Sequence, residues 1–234
     1  MSDLPLTSET ISLLNRCATD AWGLPADRRH EWSNGSAKQF LAWMETLAGK
    51  GDAETTLILY FATHQWDDGR TKFVSGPDLE ADRLVAAVNG VAGRYKAALF
   101  INDSCHAAAL EKHGSFQSNV TRLHASREDE ATVDFEFEKG PYGLEDFIRD
   151  EREWLKTDFR WTPKGLSHLG LIALKTGLAI GREQPASIDL QIFVRGLNRW
   201  RDEYDERIRQ RNVPHFELAP ADANMILLRH RGSS

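Results

Sequence analysis

Cysteine is scarce in this chain. Two occur in 234 residues, Cys17 and Cys105, too few for a disulfide framework and too few for a thiolate zinc site. A reducing, cytoplasmic setting is the simplest expectation. Positive charge is not in excess either: 29 Lys and Arg stand against 35 Asp and Glu, a net charge of -6. Nucleic-acid binding needs a basic stripe. The nearest candidate, Arg207 to Arg211, is balanced by Asp202, Glu203, Asp205 and Glu206. Long apolar runs are missing, and Met1 to Leu6 lacks the basic-then-apolar layout of a signal peptide. A soluble protein is expected, with no nucleic-acid partner and no membrane. Internal repeats and low-complexity segments are absent as well.

What is present is an ordinary globular composition, 41% apolar and 27% charged, enough for one domain with a continuous core. The organising stretch is Ala97 to Ala109, where an apolar run stops abruptly at Asp103-Ser104-Cys105-His106. It reads as a buried strand ending on a thiol. Upstream, Thr56 to Thr63 is a second apolar run, ending at His64. Between them, Leu84, Val85, Val88, Val91 and Ala92 fall on one helical face, with Asp78 placed to cap the helix and Gly93 near its end. Strand, helix, strand of this length is a parallel crossover. His64 and Cys105 should therefore emerge on the same edge of a sheet, where open α/β folds bind ligands.

The remaining chain fills in around that unit. Ile11, Leu14, Cys17 and Ala18 have helical spacing, which assigns Cys17 to the core. Residues 23–35 read as a loop, and Ser36 with Gln39 forms a capping box for a helix carrying Phe40, Leu41, Met44 and Leu47. A polar loop follows His64. A short helix is expected from His106 to Lys112, then a third parallel strand from Asn119 to Ala125. Residues 132–138 alternate like a strand with one wet face. Helices are expected over Leu144 to Leu155, from Thr162 to Ile180, and from Ser187 to Ile208. Met225 to Leu228 reads as a last strand, either completing the core or forming a dimer edge.

A thiol beside an imidazole is a minimal activated nucleophile. The thiolate is the reactive form, so it needs a basic or cationic neighbour. His64 can act as general base or ion-pair partner and then protonate a leaving amine. A helix starting at Cys105 would add its dipole and an oxyanion-binding N–H. A buried filler is the commoner fate of a lone cysteine, and the paired strand ends are what argue otherwise here. His106, at the start of that helix, is expected to point away from the thiol in a structural role.

These residues resemble the caspase-like cysteine peptidases, metacaspases and paracaspases included, which place a histidine after one strand and a cysteine after the next, about 50 residues on. Asp103-Ser104-Cys105-His106-Ala107 is similar to the metacaspase nucleophile motif, Tyr60 to His64 to the histidine motif, and Ala125 to Ala131 to the exit of the next strand. The resemblance covers roughly Phe40 to Leu155. It implies a caspase-like three-layer α/β/α sandwich with a mainly parallel central sheet. It frames 1–234 as one peptidase domain, with 1–35 as an N-terminal helical extension, 36–160 as catalytic core and 161–234 as C-terminal helices and last strand.

The resemblance also implies an intracellular endopeptidase with a Cys105–His64 dyad, cutting a protein substrate after Arg or Lys, without a cofactor or metal. Asp103 and Glu130 match the acidic residues of the pocket for that basic side chain, although Asp103 is also placed to cap the following helix and Asp129 or Glu136 are alternatives to Glu130. Gln65 and Cys105 match the backbone oxyanion donors. Bacterial stand-alone members serve defence or cell death, which adds a partner or regulator protein to the expectations. One departure stands out: the family has glycine directly after the histidine, where this chain has Gln65-Trp66. That substitution defines the alternative, an inactive caspase-like interaction module.

Overall fold

The computed structural model describes residues 11, 14–130, 168–183, 187–208, 217–219 and 225–229. The expected strand at 132–138, the helix at 144–155 and the start of the helix at 162 lie outside those residues. The first regular helix, α1 (Ala37–Ala48), begins at the capping box: Gln39 N–H donates to Ser36 Oγ at 3.3 Å and Ser36 N–H donates to Gln39 Oε1 at 2.8 Å. Its buried face is Phe40, Met44 and Leu47. Strand β1 (Thr56–Gln65) runs two residues further than the apolar pattern indicates. The reason is β2 (Thr71–Lys72), which folds back antiparallel onto His64 and Gln65.

The turn between them closes with Gly69 N–H donating to Trp66 O at 2.9 Å and Trp66 N–H to Arg70 O at 2.9 Å. Gly69 has φ +78, the left-handed conformation that a three-residue hairpin loop requires of its last position. The polar loop expected after His64 is thus a tight hairpin. Helix α2 (Ala81–Ala92) follows, starting from Glu80 with no side-chain cap. Asp78, expected to cap it, instead accepts from Trp66 Nε1 at 2.9 Å.

Strand β3 (Ala97–Ser104) lies parallel to β1, from Thr56 opposite Ala97 to Thr63 opposite Ser104. Strand β4 (Val120–His124) is parallel to β3. The far strand, β6 (Glu217–Ala219), is antiparallel to β4, giving the order β2-β1-β3-β4-β6. The sheet is parallel at its centre and antiparallel at both edges. A separate two-stranded sheet joins β5 (Ser187–Asp189) to β7 (Ile226–Arg229). Ser187 is therefore a strand residue. Helix α4 (Leu190–Ile208) opens behind it, where Ile192 N–H donates to Asp189 Oδ1 at 2.7 Å.

Helices pack on both faces of the sheet, as a mixed α/β fold requires to cover strands that are apolar on both sides. Alternate residues of β3 serve the two faces. Ala98 and Phe100 join α1, α2, Leu59 and Phe61 in one cluster. Leu99 and Ile101 join Leu123, the helix α3 (His168–Glu183), α4 and Cys17 in the other. Cys17 is buried on a π-helical turn, Cys17–Ala21, in the core position its spacing indicates.

Candidate active site

The β1–β3 register sets the site. Thr63 and Ser104 are paired, and Thr63 N–H donates to Ser104 Oγ at 3.3 Å. The next residues are His64, still within β1 and paired with Lys72 of β2, and Cys105, the first residue past β3, so the two stand side by side at the carboxyl end of the parallel strands. In an extended strand alternate N–H groups point the same way, which directs Gln65 N–H, like Thr63 N–H, toward the β3 side.

Side chains alternate faces too. Tyr60 packs on the α3/α4 side, and His64 shares its parity. Gln65 has the opposite parity, and its amide is buried, 3% exposed. Asn102 Nδ2 donates to Gln65 Oε1 at 3.0 Å and to Ala107 O at 3.2 Å. The Gln65 side chain is thus tied into the protein interior at the edge of the cavity it helps to line. Trp66 is the exposed one of the pair. It lines the same cavity, is 45% exposed, and is tethered through Asp78.

After Cys105 the chain turns sharply at His106, φ 52 and ψ 31. A non-glycine residue in this left-handed region costs about 1–2 kcal/mol and needs surrounding contacts to hold it. They are present. His106 N–H donates to Glu130 O at 2.8 Å, and His106 Nδ1 lies 2.9 Å from Glu128 O. Buried Ser126 bridges the turn, accepting from Ala107 N–H at 3.0 Å and donating to Ser104 O at 3.1 Å. The helix that follows is a six-residue 3-10 turn, Ala107–Lys112, with His106 as its cap residue. Cys105 therefore precedes the helix, and a six-residue 3-10 segment supplies little of the dipole expected there. His106 is among the residues lining the cavity, and its printed contacts are with the main chain of Glu128, Glu130 and Ala109.

The cavity has a volume of about 900 Å³ and forms a groove along β1. It runs from Ile11 and Leu14, past Trp32 and Ile58, to His64 and Cys105. Its described lining includes Gln65 and neither Asp103 nor Glu130. Asp103 is 5% exposed and accepts a hydrogen bond from the Tyr60 hydroxyl. The helix-capping alternative for Asp103 is excluded, since His106 holds that position. Glu130 meets the site through its main chain, at His106. The His64 and Cys105 positions are brought together; the two acids are placed behind and beside them.

The ionisable groups divide clearly. Burial, helped by Asp20, pushes the Cys17 thiol up to about 12, so it is inert at neutral pH. Behind the site, burial would raise Glu111, but hydrogen bonds from His124 Nε2 at 2.8 Å and from Arg122 outweigh it and bring the carboxyl down to about 2. This cluster ties the 3-10 turn after Cys105 to β4. Among the described residues no group of three His, Cys, Asp or Glu side chains is gathered as a metal site, and no helix is long and apolar enough to cross a membrane.

Composition and spacing did not single out Asn102, Ser126 or the hairpin carrying Trp66. For the hairpin, Asp68-Gly69 was the available signal. No protein-family model matches this chain, and no curated protein matches it.

Proposed function

We propose that this chain is a cysteine endopeptidase of caspase-like architecture, with Cys105 as nucleophile and His64 as its acid–base partner. The observation that carries the reading is the Thr63–Ser104 register, which delivers a thiol and an imidazole to one end of a long groove. The Cys105 thiolate attacks a peptide carbonyl carbon and forms a tetrahedral oxyanion, facing the Gln65 and Cys105 main chain. Collapse breaks the C–N bond, His64 gives its proton to the leaving amine, and water hydrolyses the thioester.

A groove of this length fits an extended polypeptide better than a small molecule. Cleavage after Arg or Lys rests on Asp103, two residues before the nucleophile and behind the groove lining, where an arriving guanidinium would replace the Tyr60 hydroxyl on its carboxylate; Glu130, which reaches the turn through its main chain, is the second acid of that reading. The protein acts in the cytoplasm on a protein substrate, in a regulatory cleavage of the kind used in defence or cell death. The competing reading, an inactive interaction module, is favoured by one feature: Trp66 lines the same cavity as Cys105 and is held there by Asp78.

The test is labelling of the purified protein with a peptidyl-arginine acyloxymethyl ketone, alongside peptide-library turnover. Stoichiometric labelling lost in Cys105→Ala, with cleavage after basic residues, supports the peptidase. A folded protein that neither labels nor cuts overturns it in favour of the module.

A further inference from the structure

We infer that the outer edge of β1 is a docking strand, on which an extended segment of the protein substrate adds to the central sheet and is led to Cys105. The inference rests on the peptidase reading and names how its substrate is held. Every residue from Leu57 to Gln65 lines the groove. Side chains of a strand alternate between faces, so a groove lying against one face of β1 would meet every second residue. Lining by all of them places the groove along the strand's edge. It is the edge away from β3, since no residue of Ala97–Ser104 belongs to the lining.

That edge is open for most of its length. Strand β2 pairs with His64 and Gln65 alone. Past Lys72 the chain leaves β1: Phe73 enters the core against Phe40, with ring centroids 5.3 Å apart, and Ser75 bridges to Ser36. Main-chain direction follows from two bonds. Thr63 N–H points to β3, reaching Ser104 Oγ at 3.3 Å, and Trp66 N–H points to the β2 side, reaching Arg70 O at 2.9 Å. Odd-numbered residues therefore serve β3 and even-numbered ones face outward, which turns the N–H and C=O of Ile58 and Ala62 into the groove. Among the described residues no strand is hydrogen-bonded to these two from that side.

An exposed row of this kind recruits another chain as an added strand, with main-chain bonds for affinity and alternate side chains for selectivity. The chemistry of the occupant follows from the walls. Trp32 and Trp43 pack with the α1/α2 layer and Leu14 with the α3/α4 layer. All three line the groove, so apolar groups border the edge on both faces of the sheet. Ile58 itself is 37% exposed. A segment of β-branched and other apolar residues without proline fits such a slot. At about 3.3 Å per residue, Ile58 to His64 spans about 20 Å, so the contacts reach about six residues from the bond to be cut.

The experiment uses full-length Cys105→Ala, which binds without cutting, and a fluorescein-labelled peptide with alternating valine and threonine on both sides of a single arginine, read by fluorescence anisotropy. Single N-methyl groups are walked along it. In an added strand only every second N–H faces β1, so on one side of the arginine affinity should fall about tenfold at alternate positions and stay within about twofold at those between. Ile58→Pro removes an outward N–H that the β1–β3 ladder does not use, a substitution that edge strands tolerate. It should weaken the unmethylated peptide about tenfold while circular dichroism and the urea midpoint are retained; where it does not fold, the methyl pattern decides. Methylation that acts at every position or at none, a peptide that does not bind, or unchanged affinity in folded Ile58→Pro overturns the inference. So does a concentration-dependent dimer in sedimentation that Ile58→Pro dissolves, which would make a second copy the occupant. Binding is read without turnover. A peptide that docks with the alternating pattern and is left uncut by the parent sinks the peptidase reading and leaves the docking strand standing, whereas one cut after arginine with no such pattern does the reverse.

Discussion

Asn102 Nδ2 donates to Gln65 Oε1 at 3.0 Å across the β1–β3 seam, with both side chains buried. Gln65, next to His64, is therefore part of the scaffold. Its amide closes a network that includes Ala107 O and His106 O, directly beneath the turn bearing Cys105.

Removing one partner of a buried hydrogen bond strands the other. Gln65→Ala should lower stability by about 1–3 kcal/mol, measured by urea denaturation, and should slow Cys105 labelling through loss of order in the turn. Gln65→Glu should do worse on stability, because a carboxylate that cannot donate would sit buried against His106 O. If Gln65→Ala leaves both quantities unchanged, the network does not hold the turn.

Thiol accessibility should split the two cysteines. Cys17 is buried with its thiol pushed up to about 12, whereas Cys105 lines the cavity. Intact-mass analysis after brief iodoacetamide treatment at pH 7.5 should show one adduct, mapped to Cys105, and two after denaturation. Two adducts on the native protein would contradict the packing of Cys17 against α3.

Acid should loosen the anchor behind the site. The folded Glu111 carboxyl, at about 2, gives up its proton at lower pH than the unfolded group near 4.5. The cluster thus stabilises fully above about pH 4.5, and that contribution fades as pH falls toward 2. Glu111 is a third exposed, so solvent screening holds the effect to about 1–2 kcal/mol. The stability gap between the parent and Glu111→Gln, followed by denaturation at stepped pH, should close across that window. A gap that persists at pH 2 would argue against the ion pairs.

Trp66 should control entry. Trp66→Gly removes an exposed ring from the cavity wall and should raise labelling by bulky peptidyl ketones severalfold while leaving iodoacetamide labelling little changed. Asp78→Ala, which frees the ring from its tether, should give a smaller change in the same direction. Equal rates with large and small reagents in parent and variant would remove Trp66 from the approach.

Much of this arrangement was legible because it is local. The Ser36–Gln39 box, the helical spacing of Leu84 to Val91 and the apolar runs leading into His64 and Cys105 all lie within a few residues of their partners. What was hidden depends on distant contacts. Strand β2 is two residues long and owes its existence to pairing with His64 and Gln65. Ser187 and Asp189 are both competent to open a helix, and the choice falls to Asp189 because β7, far along the chain, pairs with 187–189. The partnership of Asn102 with Gln65 belongs to the same class. So does the orientation of His106, set by carbonyls of residues 128 and 130 that no periodicity announces.

Strand β3 feeds two separate apolar clusters through alternate residues, Ala98 and Phe100 into one and Leu99 and Ile101 into the other. In hydrogen-exchange terms the two helical layers are then candidate foldons joined at a single wall. Loosening either layer unseats the same strand, and with it the thiol at its end. Reactivity of Cys105 would thus report on opening of either half of the molecule, which makes a regulator docked on one face able to silence the site without touching it.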